Sequence, residues 1–342
     1  AGIAAPERYA AVVAISPTAA EVSADAPRNL LLQAGSWEGR FVANAESLLA
    51  AAGGPNADLA GGRARQLTVI PNVEHMSILF SPASHRATLD WLNDTFGLTT
   101  VMPYTDRRIL WYLLHLLAWL GLTVAVAPAL RSGWPAEPRA PGWKRWVGLV
   151  AGPVAAVLVL AALNRLAPVA NLGGLAVGGA VALWLLIGGT VWLVFQRPLS
   201  RPAAGGILLG LLLFGLLSLA FGAMAQGVWV QWWLIPPRLA RWPLLAGACV
   251  PWFLAAGYAQ WGARPTVRVV WWLVQSGVLV GGLFVTLLLV PSMGFLVLLM
   301  PLLPVLLAVF AVTTAAFDRP WPYAIGTALF FGWVLAAVFT LV

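Results

Sequence analysis

Cysteine and charge are both scarce in this 342-residue chain. It has a single cysteine, Cys249, so neither an intrachain disulfide nor a cysteine-based metal site is possible. Only 9% of the residues are charged, whereas 61% are hydrophobic, and the mean hydropathy is +0.85. No soluble globular domain has this composition, which predicts that much of the chain lies in a membrane. The sequence also contains no motif for a metal, a nucleotide or a haem, and we expect no cofactor.

The few charged residues are distributed unevenly. Residues 1–105 contain 6 basic and 9 acidic residues, whereas residues 106–342 contain 14 basic and 3 acidic residues. The basic residues of the second segment flank long apolar stretches, which is typical of membrane topology signals and of contacts with lipid headgroups. The first segment has no basic cluster, so we predict that the protein does not bind nucleic acid. We therefore predict two domains, 1–105 and 106–342, the second embedded in a lipid bilayer.

Long apolar stretches predict that the second domain is an all-α, multi-pass domain of about eight helices in the cell membrane. Each stretch is long enough to cross about 30 Å of hydrocarbon as a helix. The predicted spans are 109–128, 146–163, 172–195, 203–224, 244–261, 269–290, 293–316 and 323–342. No Asp, Glu, Lys or Arg lies in the middle of any span, which argues against an ion-coupled transporter.

Small residues and prolines suggest how these helices pack. Three glycine pairs predict close approach between helices: Gly173-Gly174, Gly178-Gly179 and Gly188-Gly189. Pro301 and Pro304 are expected to kink the seventh helix. Residues 226–237 are too few to span the membrane, and we interpret them as an interfacial segment or an extension of the fourth helix.

Residues 1–105 have the pattern of a partial α/β domain with a three-stranded parallel sheet. Continuous apolar runs, typical of parallel strands covered on both faces, predict strands at 9–15, 29–33 and 66–70. Helices are predicted over 40–52, ended by Gly53-Gly54, and over 82–96, begun by Ser81-Pro82. The second and third strands with their helix form one βαβ unit, which we expect to be right-handed.

His75 follows the carboxyl end of the third predicted strand. Pro71 and Asn72 end that strand, because proline supplies no N–H for the next ladder bond. Open α/β sheets place their ligands at the carboxyl edge of the strands, which makes His75 a candidate functional residue. The alternative interpretation is a loop histidine that only bonds nearby backbone.

Gly35-Ser36-Trp37-Glu38 follows the second predicted strand. A strand that ends in Gly-x-x-Glu, followed by a strand, a histidine and a final helix, resembles the C-terminal third of an α/β-hydrolase. The short connection 16–28 leaves no room for a large lid, so the resemblance is closer to the dienelactone-hydrolase and acetylhydrolase-like branches than to lidded lipases. The resemblance implies that Glu38 is the acid that supports His75 as the catalytic base, and that the two side chains come within hydrogen-bonding reach. Asp25 is the alternative acid, because some family members place the acid after the preceding strand.

The serine nucleophile of that family is missing from this sequence. Gly-x-Ser-x-Gly occurs nowhere in the chain, and Gly35–Gly39 has its serine in the wrong position. The family places this motif before a helix that leads into the strand matched here by residues 9–15. We therefore expect the nucleophile and further strands to precede Ala1, and residues 1–8 to be the end of that helix. The chain as given is expected to be an inactive fragment.

Two functions are compatible with these observations. The first is a membrane-tethered serine hydrolase, an esterase or acyl hydrolase, with a small ester, thioester or amide substrate. The alternative is a multi-pass membrane scaffold, sensor or permease with a vestigial hydrolase-like domain.

The basic residues between the spans also predict the side of the membrane on which the first domain lies. With eight spans, the loops on the opposite side hold nine basic residues, and those on the domain's own side hold five. Because basic loops are retained in the cytoplasm, the hydrolase-like domain is predicted to be extracytoplasmic.

Overall fold

The computed structural model describes residues 2–100, 106–130, 142–196, 200–228 and 232–342. The chain forms two compact units, Ala1–Trp111 and Tyr112–Val342. The first contains a three-stranded parallel sheet, and the second is helical.

The sheet of the first unit consists of β1 (Val12–Ile15), β2 (Leu30–Gly35) and β3 (Arg65–Ile70), in the order β1-β2-β3. Every residue of β2 is buried because β2 is paired on both edges, whereas β1 is only partly buried along its length. The first strand begins at Val12 instead of residue 9 as predicted, and Pro6–Arg8 before it forms a single 3₁₀ turn. Of the described residues 2–8, only this turn is helical, whereas the end of a longer helix was expected over residues 1–8.

Helices cover both faces of the sheet. Alternate residues of β2 point to opposite faces. Leu30 and Leu32 pack with Ala45 and Leu48 of α1 (Gly39–Ala51), whereas Leu31 clusters with Trp91 of α2 (Pro82–Phe96). Both helices lie where the apolar spacing predicted them.

Buried polar side chains fix α2 against the central strand. Gln33 donates from Nε2 to Thr88 Oγ1 at 2.9 Å, and accepts at Oε1 from the Ser84 hydroxyl at 2.6 Å. Trp91 Nε1 donates to the Asn29 carbonyl at 3.0 Å. Ser81 is the residue before the helix, as predicted, but its hydroxyl makes no capping hydrogen bond. These tertiary hydrogen bonds hold α2 against the sheet, and the expected side-chain cap is absent.

The second unit is built almost entirely of helices. In chain order they are α3 (Arg108–Leu130), α4 (Gly142–Asn164), α5 (Gly178–Gln196), α6 (Ala204–Leu217), α7 (Ala223–Val228), α8 (Pro236–Gln260), α9 (Pro265–Leu289), α10 (Leu296–Leu299), α11 (Leu302–Phe317) and α12 (Pro320–Val338). A π-helical turn, Ser218–Gly222, joins α6 to α7. In the described part of the chain, seven helical spans are long and apolar enough to cross a bilayer, counting α6 and α7 together. The second unit is therefore a multi-pass membrane domain.

The predicted span 293–316 is broken in the structure. A 3₁₀ turn (Pro291–Met293), α10 and α11 replace one continuous helix, and the 16 residues of α11 reach only about 24 Å at 1.5 Å per residue. The described part of the chain therefore has seven long spans, whereas about eight were predicted. The broken segment nevertheless returns along α9, because Asp318 after α11 contacts Arg268 in the first turns of α9 at 2.6 Å.

Two of the predicted span boundaries differ for local reasons. Residues 169–174 form a 3₁₀ segment in which Gly173 and Gly174 have φ values of 69° and 72°. This left-handed turn delays the start of α5 to Gly178, instead of residue 172 as predicted. At residues 226–237 the fourth span does extend, as α7, to Val228, and residues 229–231 lie outside the described part of the chain.

The helices pack around α12. In α12, 72% of the most apolar stretch is buried, whereas in α3 only 11% of the corresponding stretch is buried. Helix α12 is therefore central in this unit and α3 is peripheral. The helix α12 packs against α8 and α6, while α5 packs against α4 and α8. The Gly188-Gly189 pair lies at these contacts, since a Cβ on Gly189 would come within 2.1 Å of the Trp252 backbone nitrogen in α8. The close packing predicted for this pair is confirmed, whereas the Gly173-Gly174 pair forms a turn.

Candidate active site

The candidate site lies where β2 and β3 end. Gly35 pairs with Ile70 at the last position of the two strands, so both chains leave the sheet at one edge. The next residues stay together, because Ser36 N–H donates to the Ile70 carbonyl at 2.9 Å and Trp37 N–H to the Val73 carbonyl at 3.1 Å. A Cβ on Gly35 would lie 2.4 Å from the Val73 carbonyl oxygen, so this approach requires glycine. The sheet edge therefore brings together the loops that carry Glu38 and His75.

Glu38 and His75 form a direct contact. Glu38 Oε2 lies 3.1 Å from His75 Nδ1, and the Glu38 carboxylate is buried whereas the His75 side chain is 42% exposed. The predicted contact is confirmed. Because the carboxylate can only accept, this contact favours the tautomer with the proton on Nδ1 and leaves Nε2 as the basic nitrogen. No hydrogen bond among the described residues uses Nε2, which suits a proton acceptor for an incoming group.

Two further donors hold the Glu38 carboxylate in place. Its Oε1 accepts the Gly35 backbone N–H at 2.6 Å and the Ser16 hydroxyl at 2.5 Å. With His75 on the other oxygen, all three contacts of the buried carboxylate are made by donors, as an orienting acid requires. In the Gly-x-x-Glu sequence, Glu38 thus supplies the carboxylate and Gly35 supplies a backbone N–H that donates to it.

Ser16 was not identified as a site residue from the sequence. It follows β1, is 5% exposed and has a φ of 47°, an unusual value for a residue other than glycine. This backbone conformation coincides with the hydroxyl contact to Glu38. The sequence signal lies in the Ser16-Pro17 dipeptide, which directly follows β1.

Phe41 covers the ring of His75. The two ring centroids are 4.4 Å apart with an interplanar angle of 27°, which is a stacked arrangement. Phe41 lies in the first turn of α1, three residues after Glu38, so the same helix start supplies the acid and the stacking partner. The imidazole is thus restrained at Nδ1 and on its face.

The alternative acid, Asp25, and two further carboxylates of this unit, Glu46 and Glu74, make no hydrogen bond to the His75 ring among the described residues. Asp25 is exposed in the connection between β1 and β2, and no hydrogen bond between described residues joins it to His75. Glu46 is exposed on α1. Glu74 accepts the backbone N–H groups of Met76 and Ser77, both at 2.8 Å, and so shapes the loop around His75. Partial burial raises the pKa of the Glu74 carboxyl, but the hydrogen bonds from Met76 and Ser77 outweigh this effect. The pKa of Glu74 therefore lies below its usual value.

The described part of the chain holds no group of three or more His, Cys, Asp or Glu side chains placed to bind a metal ion. Comparisons with protein-family models, with curated proteins and with solved structures found no match to this chain. The geometry of the site is therefore the basis for a functional proposal.

Proposed function

We propose that the protein is a membrane-tethered serine hydrolase, and that residues 1–105 belong to an α/β-hydrolase domain whose nucleophile precedes Ala1. One observation carries the proposal: a buried glutamate held by two other donors contacts Nδ1 of a half-exposed histidine at the carboxyl edge of a parallel sheet. The substrate class is a small ester, thioester or amide, because acyl transfer is the chemistry that an acid, a histidine and a serine perform together.

The mechanism assigns one task to each side chain of the dyad. His75 removes the serine proton at Nε2 during attack on the acyl carbon and returns it to the leaving group. Glu38 keeps the Nδ1–H tautomer and stabilises the imidazolium that forms. The contacts of Glu38 with Ser16 and Gly35 prevent the carboxylate from turning away, so the base is oriented before the substrate binds.

We predict that a fluorophosphonate probe will not label the 342-residue chain, because a histidine and an acid have no nucleophile to activate without the missing motif. Ser16 does not substitute for it, since its hydroxyl donates to Glu38. The measurement is in-gel fluorescence of the purified chain, with the longer protein that carries the preceding segment as the positive sample and its His75→Ala variant as the matched control.

Labelling of the 342-residue chain would place a nucleophile within it and contradict the proposal. Absence of labelling in the longer protein would contradict hydrolase activity, and would favour the scaffold, sensor or permease with a vestigial hydrolase-like domain.

The hydrolase-like domain is further proposed to lie outside the cytoplasm. The contact between Arg268 and Asp318 supports a count of eight crossings, since it brings the chain back to the start of α9 after the broken segment. Eight crossings leave nine basic residues on one side and five on the side of the domain. The positive-inside rule retains the nine in the cytoplasm. If the broken segment did not cross, the counts would be eight and six, which favour the same orientation.

We predict that Ala60→Cys, in the exposed loop between α1 and β3, will react with a membrane-impermeant maleimide in intact cells expressing the longer protein. The matched control is Ala203→Cys, exposed before α6 and assigned to the cytoplasmic side, which should react only after lysis. Cys249 gives no background because it is completely buried. The reverse pattern of labelling would place the domain in the cytoplasm.

A further inference from the structure

A groove runs along the membrane domain between α9 and α11. It encloses about 250 Å³. Val269 and Trp272 line one wall, and Ala311 and Val312 line the other. The indole N–H of Trp272 is already used, since it donates to the Pro304 carbonyl at 2.8 Å. These walls are therefore suited to a hydrocarbon chain and offer no polar partner along their length.

One end of the groove carries a buried cation with an unused donor. Arg268 lines the groove and is only 7% exposed. Its Nε donates to the Ala263 carbonyl at 3.0 Å and its Nη2 to Asp318 at 2.6 Å, whereas Nη1 has no hydrogen-bond partner among the described residues. A buried donor without a partner is unfavourable, and no described residue provides the acceptor that Nη1 lacks.

The start of α9 adds positive potential at the same end. Pro265 opens the 25-residue helix, and the Arg268 N–H is bonded to the Arg264 carbonyl at 3.0 Å. The preceding N–H groups of the first turn have no intrahelical acceptor, and the helix dipole favours an anion beside them. Arg264 is exposed at this helix start. Asp318 pairs with Arg268, so the remaining positive potential comes from Arg264 and the helix amino terminus, and it favours a negatively charged ligand.

We infer that this groove binds one acyl chain of an anionic phospholipid, with the phosphate placed at Arg268 and the start of α9. A membrane lipid fits because α9 crosses the bilayer and Val269 is 51% exposed on its surface. The groove thus opens where acyl chains are the surrounding medium. Its cationic end lies near the end of the helix, at headgroup level, where basic pockets between membrane helices bind anionic lipids. The site is independent of the Glu38–His75 dyad.

The proposal predicts selective retention of an anionic lipid by the purified 342-residue chain. We expect native mass spectrometry in mild detergent to show one bound phosphatidylglycerol, retained in preference to phosphatidylcholine with the same acyl chains. Arg268→Gln should lower that retention by about tenfold, because it removes charge-assisted hydrogen bonds to the phosphate. The matched control is Arg165→Gln, which removes an exposed arginine at the other end of the helices and should retain the lipid as the wild type does.

A second variant separates lipid binding from the loss of the Arg268–Asp318 ion pair. Ala311→Phe fills the groove and leaves Arg268 in place, so it should also lose the bound lipid. Its control is Val305→Phe, on the exposed face of the same helix, which should keep the lipid. Wild-type retention in either Arg268→Gln or Ala311→Phe would overturn the proposal, as would equal retention of the two lipids by the wild type.

Discussion

Under the proposed function, replacing His75 by alanine in a longer protein with the serine nucleophile is expected to lower kcat/KM for a short-chain aryl ester by about 10⁴-fold or more. The effect is this large because the serine hydroxyl is a poor nucleophile until Nε2 accepts its proton. The loss should fall on kcat, since the half-exposed ring serves the chemical step and not substrate affinity. Initial rates measured with a chromogenic ester, on a variant that elutes and melts as the wild type does, provide the test.

Glu38→Gln should produce a loss of similar order, about 10⁴-fold, with the histidine still present. An amide that presents its NH₂ group to Nδ1 favours the wrong imidazole tautomer, and it no longer stabilises the imidazolium. The remaining amide oxygen can still accept from Gly35 and Ser16, so the loop should keep its conformation. Activity should therefore fall without a matching fall in the melting temperature.

Asp25→Asn and Glu46→Gln are the controls for Glu38→Gln, because both remove an exposed carboxylate from the same domain. Neither should change kcat by more than a few-fold. If Asp25→Asn abolished activity while Glu38→Gln stayed within about tenfold of wild type, the acid would be Asp25, and the contact of Glu38 with His75 would be structural only.

The Glu38–His75 contact was predictable because its cause is topological. Neighbouring parallel strands end at one edge, so residues a few positions beyond their ends meet there regardless of side-chain detail. The contact of Ser16 with Glu38 was not predictable in the same way. It depends on a positive φ at Ser16 and on the rotamer of a buried carboxylate, and neither is encoded in a pattern of apolar residues.

The role of each glycine pair in the membrane domain was also not predictable from the sequence alone. Gly173-Gly174 and Gly188-Gly189 are identical in sequence, yet the first pair forms a left-handed turn and the second allows two helices to touch. Glycine permits both conformations, so only the surrounding chain decides between them. The broken segment 291–317 is a comparable case: its apolar length predicted a single span, whereas Pro301 lies in the break between α10 and α11. Pro304 lies in the first turn of α11, where proline is tolerated.

Gly189→Ala is expected to destabilise the membrane domain by about 1–3 kcal/mol or more. The new methyl group would lie 2.1 Å from the Trp252 nitrogen and 2.5 Å from the Pro251 carbonyl carbon. These are backbone atoms of α8, so no side chain can rotate to make room and α5 must move away from α8. Heating the purified chain in one detergent, followed by size-exclusion chromatography, would record the decrease in the midpoint for loss of the monodisperse peak.

Gly277→Ala is the matched control, because Gly277 also lies inside a membrane helix and a Cβ there would meet nothing within 4 Å. That substitution should leave the midpoint unchanged, or stabilise the helix by up to about 1 kcal/mol through alanine's higher helix propensity. Gly152→Ala should resemble Gly189→Ala, since its methyl group would lie 2.4 Å from the Gly188 carbonyl oxygen, where α4 packs against α5. Equal midpoints for Gly189→Ala and Gly277→Ala would mean that α5 and α8 do not approach as closely as described. A loss confined to Gly189→Ala and Gly152→Ala would instead show that α5 depends on glycine contacts with both α4 and α8.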